Sequence, residues 1–256
     1  NEERRISDSL LSIVPFVDQV VLVDNGSTDQ TLNMVQSVIR RLGKNGEKIS
    51  VYSYPHRISR CGIDNYLTAR NSMHSLSYYY NWCLSKCSHL HVIKWDADMV
   101  IPRSFSQRFS DFVAEYLGCY ATPLELCAQP VIAMPRGVTI YVGVDSRCYY
   151  YNNEYEVEPR MFPNTASFYF AKDVLWERLA CSQPYKAFSS KEPIYYEVKD
   201  VSFNEFDHWN PGPLGMGLRK LKEMYNCAQI HDISTSGDPS IPLHNISVLD
   251  APLLTG

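Results

Sequence analysis

Apolar and polar positions follow two alternating periods over the first hundred residues. Ile6, Leu10, Leu11, Ile13 and Val14 recur at helical spacing, and the pattern predicts a helix over 6–16 that Pro15 ends. The run Val17-Asp18-Gln19-Val20-Val21-Leu22-Val23 predicts a buried strand, and Asp24-Asn25-Gly26-Ser27-Thr28-Asp29 a turn. Ser27, Thr28 or Asp29 can cap a helix over 30–42, which Gly43 closes. Ile49 to Tyr54 alternates as the next strand, Pro55 to Asn65 reads as a loop, Tyr66 to Lys86 as a long helix, and Leu90 to Trp95 as a strand. Helix and strand in strict alternation predict a parallel sheet covered on both faces. Such sheets bind ligands beyond the carboxyl ends of their strands. Asp24 and the pair Asp96 and Asp98 stand at two such ends.

Beyond residue 100 the periodicity loosens. Ser104 to Leu117 predicts a helix, and Val131 to Met134 and Val138 to Val142 two strands. Tyr149 to Tyr155 reads as a hairpin or loop, Ser167 to Phe170 as a strand, Val174 to Ala180 as a helix and Ile194 to Val198 as a strand. A helix over Leu218 to Tyr225 follows the Pro/Gly-rich stretch Asn210 to Gly217. Ser, Pro and Gly prevail over 233–256, which reads as a tail or linker.

Composition narrows the function classes. A chain of 256 residues with 45% hydrophobic content can build one large domain or two small ones. A net charge of −4 and a pI near 6.0 give no large basic face, so no nucleic-acid partner is expected. Apolar runs such as Val20-Val21-Leu22-Val23 fall far short of the roughly 20 residues that span a bilayer, so no transmembrane segment is expected, nor a signal peptide. The eight cysteines (Cys61, Cys83, Cys87, Cys119, Cys127, Cys148, Cys181 and Cys227) form no tight framework and no CxxC pair. They read as reduced thiols in a reducing, cytoplasmic compartment rather than as a zinc site. Eighteen tyrosines fit either a packed core or stacking on sugar faces.

Asp96-Ala97-Asp98 carries the sharpest chemistry. In an extended segment the two carboxylates point to the same side and repel. A divalent cation removes the repulsion, since hard carboxylate oxygens are what Mg²⁺ and Mn²⁺ prefer. The alternative is a pair of loop aspartates capping the next helix.

Taken in order, Val20-Val21-Leu22-Val23-Asp24-Asn25-Gly26-Ser27-Thr28-Asp29, Ala69-Arg70-Asn71 and Trp95-Asp96-Ala97-Asp98 resemble the family-2 glycosyltransferases of the GT-A fold. Asn1-Glu2-Glu3-Arg4-Arg5-Ile6 is similar to the segment after that family's first strand. The resemblance is strong over 1–103 and weak after that. It implies an α/β, GT-A-like fold: a mostly parallel nucleotide-binding sheet flanked by helices, with a smaller mixed acceptor-side region. It divides one domain into a nucleotide-sugar-binding half, 1–103, and an acceptor-binding, catalytic half, 104–232. The implied activity is metal-dependent transfer of a sugar, with inversion, from a UDP-, GDP- or dTDP-sugar to a glycan or other hydroxyl acceptor, with Mn²⁺ or Mg²⁺ as cofactor.

The resemblance also implies roles. Asp24 would accept a hydrogen bond from the nucleotide base, beside Asn1, Glu2 and Asn25; the alternative is a turn aspartate. Arg70, on the helix before the metal strand, would approach the base or diphosphate through its planar fork, or else be a solvated helix arginine. Asp98 would bind the metal, Asp96 the ribose or the metal, and His208 or His231 could complete the shell. The base that deprotonates the acceptor would be Asp200, Glu205 or Asp207, with Asp200 at a strand end the best match. Trp209 could shape the acceptor site. Glu158-Pro159-Arg160 would contact acceptor or diphosphate, or form an ordinary salt bridge. One departure is plain: the family's first strand would precede Asn1, and another segment, of this or a longer chain with further domains, would have to supply it. Two other classes stay open. A haloacid-dehalogenase-type phosphatase also ends a strand in Asp-x-Asp, though on its first strand, and a non-catalytic nucleotide- or carbohydrate-binding module needs no base.

Overall fold

The computed structural model describes residues 1–120, 128–142, 148–151, 156–200 and 230–232. Chain order begins with helix α1 (Ile6–Ile13), whose last turn tightens into a 3-10 turn over Val14–Phe16 around Pro15. Strand β1 (Val20–Asp24), helix α2 (Thr31–Leu42) and strand β2 (Ile49–Ser53) follow, and β1 and β2 pair in parallel. The turn between β1 and α2 is built by its own side chains. Asp29 Oδ1 accepts the Thr31 amide at 3.0 Å, and Gly43 ends α2 at φ 53°, a backbone angle that glycine takes without a Cβ clash. Val35 and Val38 of α2 face Ile6, Leu10 and Val14, forming a core over the β1–β2 pair.

The long helix predicted over 66–86 is two. Helix α3 (Ile63–Leu67) stops where Thr68 turns extended, and α4 (Leu76–Leu84) starts afresh under a Ser75 cap, whose Oγ accepts the Tyr78 amide at 3.2 Å. Strand β3 (His91–Ile93) leads through Asp96-Ala97-Asp98 into β4 (Met99–Val100). Helix α5 (Ser106–Gly118) follows a 3-10 turn over Arg103–Phe105.

The second half is strand-rich: β5 (Val131–Val142), β6 (Cys148–Tyr151), β7 (Glu156–Val157), β8 (Met161–Pro163), β9 (Phe168–Lys172), β10 (Glu177–Cys181), β11 (Lys186–Asp200) and β12 (Ile230–Asp232). The two strands predicted near 131 and 138 are one strand, and the strand at 194–198 is the inner part of the longer β11. The helix predicted over 174–180 is instead the turn and second strand of the β9–β10 hairpin. Val174, Leu175 and Leu179 mimic helical spacing, but the Asp173 amide bonds the Trp176 carbonyl at 2.8 Å and closes a tight turn. The helix predicted over Leu218 to Tyr225 and the 233–256 tail lie outside the described residues.

The fold is α/β, but the main sheet is mixed rather than mostly parallel. β5 and β11 run parallel, while β4 pairs antiparallel with β11, β6, β7 and β8 with β5, β3 with β8, and β12 with β6. Pairing of β3 with β8 and β4 with β11 joins the chain before residue 103 to the chain after it. Phe105 of the 3-10 turn and Phe109, Phe112 and Tyr116 of α5 cover one face; on the other, Ile132, Phe162, Phe168 and Phe170 meet Tyr80 and Leu84 of α4. Ile132 and its neighbour Ala133 thus serve opposite layers. Gly137 lets β5 pass the Tyr195 ring, since a Cβ there would lie 2.2 Å from the ring carbons.

Among the described residues β1 pairs with β2 alone and β3 with β8 alone. Their amino ends are tied, because Gln19 Oε1 accepts the Ser88 amide at 3.0 Å. Beyond that tie a cavity of about 780 Å³ opens, lined by all of β1 and β3 and by Ile6, Leu10 and Ile13 of α1.

Candidate active site

Three separate sequence segments meet at the mouth of this cavity. Asp24 ends β1, Asn1 and Glu2 precede α1, and Asp96 to Asp98 follow β3; all line the same space, with Asn25. The meeting is held by short polar contacts. Asn1 Oδ1 accepts the Thr28 amide at 2.7 Å, the Glu2 amide donates to Thr31 Oγ1 at 2.6 Å, and Trp95 Nε1 donates to Ser9 Oγ at 3.0 Å. The Ser9 hydroxyl in turn donates to the Asp96 carbonyl at 3.2 Å, so α1 bridges the carboxyl ends of β1 and β3.

Asp24 organises its own turn. Its carboxylate accepts the Gly26 amide at 3.1 Å and the Ser27 amide at 3.1 Å. Partial burial pushes its pKa upward, but these hydrogen bonds outweigh it and hold the carboxyl below the ordinary value. Asn25 beside it is exposed.

Asp96 and Asp98 live in different charge environments. Asp96 Oδ2 is gripped by Arg160 Nη1, and its Oδ1 lies 3.6 Å from Lys94 Nζ. Burial works against its charge, but Lys94 and Arg160 dominate and hold it well below the usual carboxylate range. Asp98 Oδ2 accepts from Lys199 Nζ at 2.6 Å, while its Oδ1 is buried with no hydrogen-bond partner among the described residues. Burial, with Glu197 and Asp96 nearby, raises Asp98 to about 7 despite Lys199.

The two aspartates belong to a larger cluster. Lys199 also pairs with Glu197 at 2.8 Å, Lys94 with Glu177 at 3.5 Å and Arg160 with Glu158 at 3.0 Å. Glu156 is hydrogen-bonded to Glu197; burial and that neighbour push Glu156 up to about 9, while Glu197 falls to about 2. Glu156 is therefore the protonated partner at neutral pH. Among the described residues the five carboxyl groups of Asp96, Asp98, Glu158, Glu177 and Glu197 share three cations, Lys94, Arg160 and Lys199. The cluster is short of positive charge. It also holds buried polar atoms without protein partners: Asp98 Oδ1, Glu156 Oε2, Arg160 Nε and the Tyr195 hydroxyl. If a divalent cation binds here, Asp98 Oδ1 is the oxygen that would hold it, and the cation would supply the missing positive charge. Both oxygens of Asp96 are already in ion pairs. Among the described residues no three His, Cys, Asp or Glu side chains converge as a self-sufficient metal cage.

Other expected residues fall elsewhere. Arg70 is not on a helix; it is exposed in the turn before α4 and does not line the cavity. Asp200 closes β11 opposite Val142 of β5, two residues beyond Val198, whose amide donates to the Asp98 carbonyl at 2.9 Å. His231 sits on β12 opposite Tyr150. Glu205, Asp207, His208 and Trp209 lie outside the described residues. Glu158 and Arg160 form the salt bridge of the plainer alternative, and Arg160 extends it to Asp96.

The sequence reading passed over Lys94, Glu177, Glu197 and Lys199. A signal existed for two of them: Glu197 and Lys199 stand two apart in the apolar run Ile194-Tyr195-Tyr196-Glu197-Val198-Lys199, hence on one face with Tyr195. Charges spaced that way in a buried strand require partners. The described cysteines, Cys61, Cys83, Cys87, Cys119 and Cys181, are free thiols, and no helix among the described residues is long and apolar enough to cross a membrane.

No protein-family model matches the chain. No curated protein matches it either. Nine solved chains do, among them a crystal structure of S. aureus TarS 1-349, with 16% identity and a TM-score of 0.40 over 77% of this chain and 58% of that one. A crystal structure of S. aureus TarS matches at 16% identity and a TM-score of 0.41 over 81% of this chain and 36% of that one. The chain thus spans less than two thirds of the first and about a third of the second.

Proposed function

We propose that this chain is a glycosyltransferase that moves a sugar, with inversion, from a nucleotide-sugar donor to a hydroxyl acceptor, aided by Mn²⁺ or Mg²⁺. One observation carries the reading: Asp24, at the end of β1, and Asp96 and Asp98, beyond β3, line the same cavity of about 780 Å³. That volume lies in the range of small-molecule sites, and the place is where open α/β sheets bind nucleotides. The ordered motifs that resemble family-2 glycosyltransferases supply the reaction type.

In this reading Asp24, Asn25, Asn1 and Glu2 line the nucleoside end. Asp98 Oδ1 would hold the cation, whose chemistry would be to offset the negative charge of a diphosphate leaving group. Lys94 and Arg160 fix Asp96 in one orientation, so that it can serve the ribose without rotating away. Asp200 is the favoured base because β11, which it ends, is bonded to the Asp98 carbonyl through Val198.

The test is a thermal-shift panel of nucleoside diphosphates and nucleotide sugars, with and without Mn²⁺. A ligand that binds the folded state raises its melting temperature by mass action. One nucleotide should stabilise the protein with Mn²⁺ and much less without it. Asp98→Asn should lower transfer at least about 100-fold while the protein still folds, with a single cooperative urea transition. No stabilisation by any nucleotide sinks the reading; binding without transfer or donor hydrolysis turns it into a binding module.

A further inference from the structure

The tip of the β9–β10 hairpin and helix α3 form a knob of apolar side chains in water. Leu67 is 75% exposed, Tyr66 57%, Val174 53% and Trp176 37%. Isolated exposed apolar residues need no explanation, but a contiguous group does. Contiguity is set by hydrogen bonds between the two elements. The Gly62 amide donates to the Leu175 carbonyl at 2.6 Å, and Asn65 Nδ2 donates to the carbonyls of Asp173 at 3.3 Å and Trp176 at 3.2 Å. Lys172 Nζ donates to the Tyr66 carbonyl at 3.1 Å. Asn65 is fully buried, so the knob is displayed on a fixed base.

Its rim is cationic, against the sign of the whole chain. Arg57, Arg60, Lys172 and Arg178 lie on or next to these elements; Asp64 pairs with Arg57 at 3.6 Å and Asp173 with Arg178 at 3.9 Å, which leaves positive charge in excess here while the chain carries −4 overall. Four side chains on two tips offer much less area than a stable protein interface, which buries about 800 Å² per partner. Tryptophan, tyrosine and leucine ringed by arginine and lysine are instead the composition that settles at an anionic lipid–water interface.

We infer that this face docks on an anionic bilayer surface, with Leu67, Val174, Tyr66 and Trp176 entering the headgroup region and lipid phosphate drawing Arg57 and Arg178 from their exposed pairs with Asp64 and Asp173. The docked face adjoins the carboxylate cluster, because Glu177, next to Trp176, pairs with Lys94 beside Asp96. The inference does not depend on the reaction proposed above.

Vesicle co-sedimentation tests it, using phosphatidylcholine alone and phosphatidylcholine with about 30% phosphatidylserine. The protein should pellet with the anionic vesicles and not with the neutral ones, and 0.5 M NaCl should release it. Leu67→Asp with Val174→Asp should weaken binding at least about 10-fold; both positions are exposed, so the melting temperature should hold. Arg57→Glu with Arg178→Glu should do the same through charge alone. Brominated lipid should quench wild-type emission, and Trp176→Phe should remove most of that quenching. Equal pelleting of wild type and the Asp variant, or no pelleting at low salt, overturns the inference. So does a Leu67-dependent dimer in light scattering, which would assign the knob to a second copy.

Discussion

Val20–Asp24 and Ile194–Val198 are both short, mainly apolar strand segments beside the carboxylate cluster. Every residue of the first is half-buried, and every residue of the second is buried. The difference is pairing. The β11 segment has β5 on one side and β4 on the other, with Phe105, Phe109 and Phe112 above it. β1 has β2 on one side and the cavity on the other. A continuous apolar run such as Val20 to Val23 suits a strand covered on both faces and both edges. Here one edge faces a cavity, and that same cavity is where Asp24, Asp96 and Asp98 converge. The closed half supplies rigidity, and the open half supplies the space.

Paired core deletions separate the halves most strongly. Ile194→Ala should cost about 3–4 kcal/mol in urea unfolding, while Leu22→Ala, with less area to lose, should cost about 1–2 kcal/mol. Equal costs would erase the distinction. Native-state hydrogen exchange comes next: slot-facing amides of β1 should exchange about 100-fold faster than those of Ile194 to Val198, equivalent to about 2.7 kcal/mol. A smaller effect is expected from filling the gap. Asn1 and Glu2 line the cavity, so a five-residue Val/Ile segment fused ahead of Asn1 can reach it. Pairing there should add about 2 kcal/mol, or roughly 4–8 °C in melting temperature, and slow β1 exchange. A monodisperse fusion with an unchanged melting temperature would mean that this edge gains nothing from a partner.

The smallest effect concerns α1, which roofs the open half. Burial raises Asp8 to about 6, against the pull of Arg5 and Arg41. A carboxyl whose folded pKa exceeds its unfolded one favours folding when protonated. That contribution is complete below about pH 4 and is lost as pH rises through about 6. After discounting for partial exposure, Asp8→Asn should match wild type near pH 4 and exceed it by about 1 kcal/mol at pH 7.5. An identical pH profile for the two proteins would rule out a buried, titrating Asp8.

Much of the first half was legible from the chain, because its signals are local. Pro15, Gly43, the Asp24 to Asp29 turn and the alternation at Ile49 act within a few residues of themselves. The split of the 66–86 helix was missed because a Ser75 cap competes with continued helix only by a small margin. The β9–β10 hairpin was missed because Val174 and Leu175 face opposite environments, exposed and buried, which only the fold assigns. Asp24, Asp96 and Asp98 could be named as one site from strand order. Their partners could not: Arg160 is 64 residues from Asp96, and Lys199 is 101 from Asp98.

By itself, then, the sequence determined the α/β alternation of the first half, the turn at Asp24, and the presence of two carboxylates one residue apart after a strand. Those follow from backbone preference and local hydrogen bonding. Tertiary structure alone decided that the main sheet is mixed and that, among the described residues, β1 pairs with β2 alone. It also decided that Lys94 and Arg160 hold Asp96 while Asp98 Oδ1 is buried without a partner among the described residues. Strand pairing and charge neutralisation act through space, so the difference between two neighbouring aspartates is set largely by side chains from distant positions, Arg160 just before β8 and Lys199 on β11.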